Sequence, residues 1–196
     1  MDYNEKAVAE YHETRKRYIA YGLDPYRSAE FIAQTARPLE GKVLEVGTGR
    51  GLVTTYLAKD SKIITIDIDD EVQSFAKELA KSEGVFGNIT FLLRDITKEP
   101  YDEASFNIVV SAQAVHHFEQ PEKTISMLCR TSSHKVVIAD FNQGGFDILE
   151  KLHKEEGGSH SRGDFPIDNI QPLMIASGFT VKRYEKNHTV VYVGEK

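Results

Sequence analysis

Five short runs, each nearly continuous in Val, Ile, Leu or Phe, recur between residues 42 and 139 and leave few folds open to this chain. They are Lys42-Val43-Leu44-Glu45-Val46 and residues 62–67, 89–93, 106–110 and 135–139. Strands that are apolar on both faces belong inside a parallel sheet covered by helices on either side. The segments between them carry helical spacing. Val53, Tyr56 and Leu57 form one face; Val72, Phe75, Ala76, Leu79 and Ala80 a second; Ile125, Leu128 and Cys129 a third. Asp69-Asp70-Glu71 supplies caps and negative charge to the start of the second helix. The alternation predicts a doubly wound α/β sheet.

Both ends depart from that alternation. Residues 1–40 read as two helices, with Val8, Tyr11, Arg15, Tyr18 and Ile19 on one stripe and Ala29, Ile32, Ala33 and Ala36 on the next. Residues 180–185 and 189–193 are strand-like and separated by little more than Asn187-His188, a gap that permits only an antiparallel hairpin. The expected organisation is one domain over 1–196, with a helical cap at 1–40 and a lid-like insertion at 142–170. That insertion holds an amphipathic helix (Phe146, Leu149, Leu152, His153). The stretch Gly157-Gly158-Ser159-His160-Ser161-Arg162-Gly163-Asp164 follows and reads as a solvated loop or a substrate lid.

Composition removes several classes of function. With 24 Lys plus Arg against 30 Asp plus Glu, the net charge is −6, a poor basis for gripping nucleic acid or an anionic membrane. One cysteine, Cys129, leaves no internal disulfide, no cysteine zinc site and no two-thiol chemistry. No apolar run approaches the ~20 residues that span a bilayer, and the first residues lack signal-peptide character. A cytoplasmic monomer or homodimer without resident metal is expected.

The strongest local signal is Glu45-Val46-Gly47-Thr48-Gly49-Arg50-Gly51, a strand running into a glycine-rich turn and then a helix. Glycine there admits positive φ and close approach of a ligand to the backbone, and the helix start offers unpaired N–H groups. Asp67 ends the second run twenty residues after Gly47, where an acid can accept both hydroxyls of a ribose. The third run ends in Arg94-Asp95-Ile96; the Asp95 carboxylate can accept from an adenine amine while the next N–H serves a ring nitrogen. A dinucleotide fingerprint wants a small residue where this chain has Leu52. Glu45 also places a carboxylate where a pyrophosphate would be repelled and an ammonium welcomed. These residues favour a ligand with a ribose, an adenine and a cationic amino-acid tail, which is S-adenosylmethionine.

Together Glu45-x-Gly47-x-Gly49-x-Gly51, Asp67, Asp95 and the terminal hairpin resemble the class I S-adenosylmethionine-dependent methyltransferases, well over residues 40–142. The resemblance implies a Rossmann-like sheet of seven strands, mostly parallel with an antiparallel C-terminal strand. It implies that Glu45, Gly47, Thr48, Gly49 and Gly51 hold the methionine portion, Asp67 the ribose, Ile68 the face of the adenine, and Asp95 with Ile96 its edge. Ser111, at the tip of the fourth run, joins that set.

Residues 106–118 resemble the fourth motif of the small-molecule, "type 11" branch, with Asn107 where that branch usually has Asp. The Asn/Asp-Pro-Pro-aromatic tetrad of nucleic-acid and protein amino-group enzymes is missing at 111–113, so a small-molecule acceptor is implied. His116 and His117 point about 100° apart if helical, so at most one faces a pocket. That histidine is either a general base with an unperturbed pKa near ~6.5 or a bridge between backbone groups. Tyr11, Tyr18, Gln113 and Asp140 are further candidates for the acceptor side, and Arg15-Lys16-Arg17 reads as a solvated helix face. Transfer from a sulfonium needs chiefly an acceptor held ~3 Å from the methyl and stripped of water, so no strong base is required. Two other readings stay open: a non-catalytic partner subunit that keeps the cofactor site, and a nicotinamide-dependent oxidoreductase, which Leu52 and Glu45 disfavour.

Overall fold

All five apolar runs become neighbouring strands in a computed structural model of the chain, which describes residues 3–155, 157 and 163–196. They are β1 (Val43–Val46), β2 (Ile63–Asp67), β3 (Ile89–Leu93), β4 (Phe106–Ala112) and β5 (Ser132–Phe141), and β6 (Thr180–Lys186) with β7 (Thr189–Glu195) forms the terminal hairpin. The sheet has seven strands in the order β3-β2-β1-β4-β5-β7-β6. β1 to β5 run parallel, while β7 is antiparallel to both β5 and β6. The expected mostly parallel sheet with one reversed strand is what forms.

Alternate residues of β1, β2, β4 and β5 enter opposite cores, which is why those runs are apolar throughout, whereas the edge strand β3 leaves Leu92 and Leu93 exposed. Val43, Ile108, Val110, Val137 and Val191 pack on one face with α2 (Pro25–Ala36) and α3 (Leu52–Leu57). Leu44, Val109, Val136, Ile138 and Tyr192 pack on the other with α5 (Pro121–Thr131) and α7 (Ile170–Ala176). α4 (Asp70–Ser82) is capped as its sequence requires: the Asp69 side chain accepts the N–H groups of Glu71 and Val72.

The first 40 residues are not all cap. Ala29, Ile32, Ala33 and Ala36 of α2 sit in the main core, and the Thr189 hydroxyl of β7 donates to Ser28 at 2.9 Å. Only α1 (Tyr3–Ala20) lies outside the two sheet faces, its Val8 and Tyr11 packed on Leu79 of α4. Ile19, expected on the buried stripe, is 42% exposed because α1 has a partner along one narrow face only. The insertion is more than a loop: α6 (Gln143–Glu155) buries Phe146, Leu149 and Leu152 against Phe141, Leu23 and Tyr18. Gly158-Ser159-His160-Ser161-Arg162 of the expected lid lies outside the described residues. No helix among the described residues is long and apolar enough to cross a membrane.

Candidate active site at the carboxyl edge of the sheet

Because β1 to β5 are parallel, their carboxyl ends and the loops that follow share one edge, the usual place for a ligand in an open α/β sheet. The glycine turn after β1 is built from three positive φ angles: +92° at Gly47, +51° at Gly49 and +82° at Gly51. Two of these glycines admit protein neighbours. A Cβ on Gly47 would stand 2.8 Å from Ala114 Cβ, and one on Gly51 only 2.7 Å from Ala76 Cβ. Gly51 thus provides the close packing that a dinucleotide fingerprint asks of the position held here by Leu52. Around Gly49 nothing lies within 4 Å of such a Cβ, so this glycine leaves its backbone open to a ligand.

The turn is tied to the neighbouring strand tip. Gly47 N–H and Thr48 N–H donate to the Ile66 carbonyl at 2.9 and 3.2 Å. Gly49 N–H donates to Asp67 Oδ2 at 2.7 Å, and Asp69 N–H to Asp67 Oδ1 at 3.1 Å. Asp67 therefore stands beside the open glycine with acceptor capacity to spare on both oxygens. Ile68, the next residue, is 73% exposed, an apolar side chain left uncovered at the cleft.

Two residues expected at the ligand surface lie beneath it. Glu45 is fully buried, and its Oε2 accepts the hydroxyls of Thr54 and Thr65, both at 2.7 Å. Burial pushes its carboxyl from the ordinary 4.5 up to about 7, against the lowering effect of the two hydroxyls. On a four-residue strand covered on both faces, the Glu45 side chain is buried and braces the turn through Thr54 and Thr65. Thr65 continues the chain of bonds to Thr48 at 2.7 Å, and Gln73 reaches both Thr48 and the Leu92 carbonyl. Thr54, Thr65 and Gln73 had no local motif to announce them. Ser111 is likewise buried, giving its hydroxyl to the Val46 carbonyl at 2.9 Å and joining β4 to the start of the turn.

Asp95 opens a tight turn of its own, accepting Thr97 N–H and Thr97 hydroxyl on Oδ1 and pairing with Lys98 at 3.0 Å. The Thr97 hydroxyl, helped by Lys98, holds its carboxyl down at about 2. Ile96 is buried below it. Asn107, where the branch usually has Asp, accepts Lys42 N–H at 2.8 Å at the far end of β4 from the cleft.

On the other side of the glycine turn, residues 113–117 follow β4. His116 and His117 lie on a single 3₁₀ turn with their rings 4.0 Å apart, His116 buried and His117 exposed. Asp140, expected to face an acceptor, is 2% exposed and belongs to His116 instead. It accepts His116 Nδ1–H at 2.8 Å, His116 N–H at 3.1 Å and Phe141 N–H at 2.9 Å. Phe146 stands edge-on to the His116 ring at 5.2 Å, and Phe141 lies tilted beside it at 6.2 Å. Gln113 has φ +54°, a strained value for a residue with a side chain, and its Nε2 is buried without a hydrogen-bond partner among the described residues.

α1 crosses the cleft from the glycine turn to α6. Tyr11 and Tyr18 are both buried, and the Tyr18 hydroxyl lies 3.4 Å from His153 Nε2. Arg15 departs from the expected solvated face: its guanidinium sits 4.5 Å from each of the Tyr11 and Tyr18 rings. Among the described residues no group of three or more His, Cys, Asp or Glu is placed to hold a metal. Cys129 is buried, which pushes its thiol up to about 11.

A sheet in this strand order, with a glycine turn after β1 locked to an acid at the tip of β2, is the Rossmann-like fold of the class I methyltransferases. Residues 44–138, the segment carrying those features, match the family model described as a methyltransferase domain. Among curated proteins, an uncharacterized methyltransferase of Staphylococcus carnosus is 27% identical over 79% of this chain and 65% of its own length. The ubiquinone/menaquinone biosynthesis C-methyltransferase UbiE of Idiomarina loihiensis is 21% identical over 68% of this chain and 51% of its own length. The chain thus spans about half to two thirds of the length of these relatives. A crystal structure from Thermotoga maritima, described as a SAM-dependent methyltransferase and possible histamine N-methyltransferase, has a TM-score of 0.68. It shares 18% identity, with 98% of this chain and 97% of that one covered.

Proposed function

We propose that the chain is an S-adenosylmethionine-dependent methyltransferase that acts on a small-molecule nucleophile. The observation that carries this reading is the 2.7 Å bond from Gly49 N–H to Asp67, beside a glycine with open space where a Cβ would stand. The bond sets a carboxylate and an unobstructed backbone at one point of the carboxyl edge, which supports reading Asp67 as the ribose acceptor. In this reading Gly47, Gly49 and Gly51 shape the bed for the amino-acid tail, with Thr48 fixed below. Asp67 takes the ribose hydroxyls and the exposed Ile68 covers the adenine face. Asp95 has one acceptor site beyond those given to Thr97 and Lys98, and it and the Ile96 N–H serve the adenine edge. Glu45 and Ser111 act through the turn they support. The relatives' own names, all methyltransferases and one a quinone C-methyltransferase, support a small-molecule acceptor.

Bound S-adenosylmethionine supplies an electrophilic methyl on a sulfonium. The protein supplies position, dryness and a place for a proton. The Asp140 side chain accepts three N–H donors, the His116 Nδ1–H among them, and so holds that ring with its proton on Nδ1. The basic lone pair is then on Nε2, which takes the proton released by an O–H, N–H or S–H acceptor. Gln113, strained and with its amide buried, donates to the acceptor and orients it. Phe141, Phe146 and Tyr18 exclude water from the same chamber, which raises the reactivity of the nucleophile.

Isothermal titration with S-adenosylhomocysteine tests the cofactor, and transfer of isotope-labelled methyl from S-adenosylmethionine across an acceptor panel tests the reaction. Absence of binding at millimolar ligand would end the reading. Binding without transfer to any acceptor would favour the non-catalytic partner subunit.

A further inference from the structure

The sheet ends in two edge strands, β3 and β6, and they are guarded very differently. β6 carries Lys182, Arg183, Glu185 and Lys186 among its seven residues, charges of the kind that keep an edge from pairing with another chain. β3 reads Ile89-Thr90-Phe91-Leu92-Leu93, with no charge, no proline and no break in register against β2. Leu93 is 59% exposed and Leu92 39%, and Phe86, just before the strand, is exposed as well.

The backbone of this edge is open. Arg94 N–H donates to the Asp67 carbonyl at 2.8 Å, and successive residues of a strand turn their N–H and C=O to alternate sides. Arg94, Leu92 and Thr90 therefore face β2, while Phe91 and Leu93 turn both groups away from the sheet. Their side chains lie on the face that α4 covers, in register with Thr65 and Asp67.

α4 extends the same edge. Asp70, Ser74, Lys77 and Lys81 stand four, three and four residues apart and so form one row along the helix. Lys81 lies 5.5 Å from the Phe86 ring, which stacks on Phe91 at 6.0 Å, so the row borders the open side of β3. One end of the row is acidic and the other carries two lysines, which makes it complementary to itself when reversed. Gln73 near the start of α4 reaches the Leu92 carbonyl at 3.1 Å, so helix and strand run in opposite directions. With rises of ~1.5 Å per helical and ~3.3 Å per strand residue, the middle of the row is level with Phe91.

We propose that β3 and α4 form the docking surface for a second copy of this chain, joined edge to edge about a two-fold axis beside Phe91. That axis sets Phe91 opposite Phe91 of the second copy, Ile89 opposite its Leu93, and Thr90 opposite its Leu92. The same axis sets Asp70 opposite Lys81 of the second copy and Ser74 opposite its Lys77. Open backbone groups then pair, the exposed leucines are covered, and one sheet runs through both copies. Strands ~4.8 Å apart bring the two α4 helices to ~10 Å, the ordinary spacing of packed helices. A strand from another protein would meet the open backbone but not the charged row. A second α4 in reverse supplies both.

Sedimentation velocity on the full chain tests this. Wild-type protein is expected to be dimeric at ~100 μM and to dissociate on dilution. Leu93→Lys, at an exposed position, should raise the dissociation constant at least about tenfold with an unchanged thermal melt. Asp70→Lys should raise it about threefold, and adding Lys81→Asp should restore it to within about twofold. Thr90→Cys combined with Leu92→Cys tests the register, because these residues face each other across the new edge with Cβ atoms ~4.5–5.5 Å apart. Under oxidation the double variant should run as a covalent dimer. Monomeric wild-type protein at that concentration overturns the proposal, as does a dimer that Leu93→Lys leaves intact. A wild-type monomer that holds a different protein by this edge, and loses it on Leu93→Lys, assigns the edge to that protein and overturns self-pairing.

Discussion

Asp140 grips His116 at two points, its carboxylate accepting the ring Nδ1–H at 2.8 Å and the backbone N–H of the same residue at 3.1 Å. The tip of β5 thereby sets both the position and the tautomer of a histidine twenty-four residues earlier in the chain. The pair is buried, with His116 at 7% and Asp140 at 2% exposure, so neither partner can be removed without leaving polar groups unsatisfied.

Asp140→Ala should therefore cost stability as well as turnover. It strands three N–H donors, those of His116, Phe141 and the imidazole, and a loss on the order of 3 kcal/mol is expected in urea unfolding. Asp140→Asn retains an acceptor oxygen and should cost about 1 kcal/mol or less of stability. Its amide also stands against Nδ1, which favours the wrong tautomer and should slow methyl transfer at least about tenfold with unchanged S-adenosylhomocysteine affinity. Equal effects of the two substitutions on rate and stability would remove the orienting role.

Glu45 makes stability depend on pH in a definite direction. Burial raises its carboxyl from 4.5 to about 7, so the folded chain keeps the proton over a range where the unfolded chain has lost it. The contribution is fully present below pH 4.5 and is lost as pH rises to about 7. The span corresponds to an effect on the order of 3 kcal/mol. Glu45→Gln, neutral throughout, should flatten this slope, and urea midpoints of the two proteins at pH 5 and pH 8 measure it. Parallel pH profiles for the two proteins would show that the buried acid titrates normally.

The three glycines of the turn should respond unequally to alanine. Gly51→Ala meets Ala76 Cβ at 2.7 Å with φ +82° and is expected to lose more than about 3 kcal/mol, part of it restored by adding Ala76→Gly. Gly49→Ala has φ +51° and empty space, and should lose only about 1 kcal/mol of stability. Its added methyl stands where the ligand would approach, so affinity for S-adenosylhomocysteine should fall at least about tenfold. Thermal melts and titration of both variants separate packing from binding.

Asp67→Ala should weaken S-adenosylhomocysteine binding by about tenfold or more, because it removes the ribose acceptors and the anchor of Gly49 N–H together. Asp67→Asn keeps one acceptor oxygen and should lose less. Unchanged affinity in the alanine variant would refute the ribose role.

Much of this molecule could be read from its residues in order. The five apolar runs appear as strands at the expected places, Asp69 caps its helix, and Asn187-His188 turns the terminal hairpin. The glycine turn and Asp67 were legible because a strand, a turn and an acid at fixed spacing form one local unit. The sequence marks Glu45 as an acid before the glycine turn and Asp140 as a candidate for the acceptor side, but it does not show what surrounds either one. Whether a carboxylate on a strand points to the cleft or the core depends on which face other elements cover. α2 gave no sign that it belonged to the main core, since an alanine-rich stripe reads the same on a cap.

The sequence by itself determined the fold class, the glycine turn and the acid at the tip of β2, since each rests on interactions between residues near one another in the chain. Tertiary structure alone decided that His116 belongs to Asp140 and that Glu45 rests on Thr54 and Thr65. Those partners come from different elements. A side chain's partners are chosen by how helices dock across the carboxyl edge, a property of packed surfaces that no short-range pattern encodes.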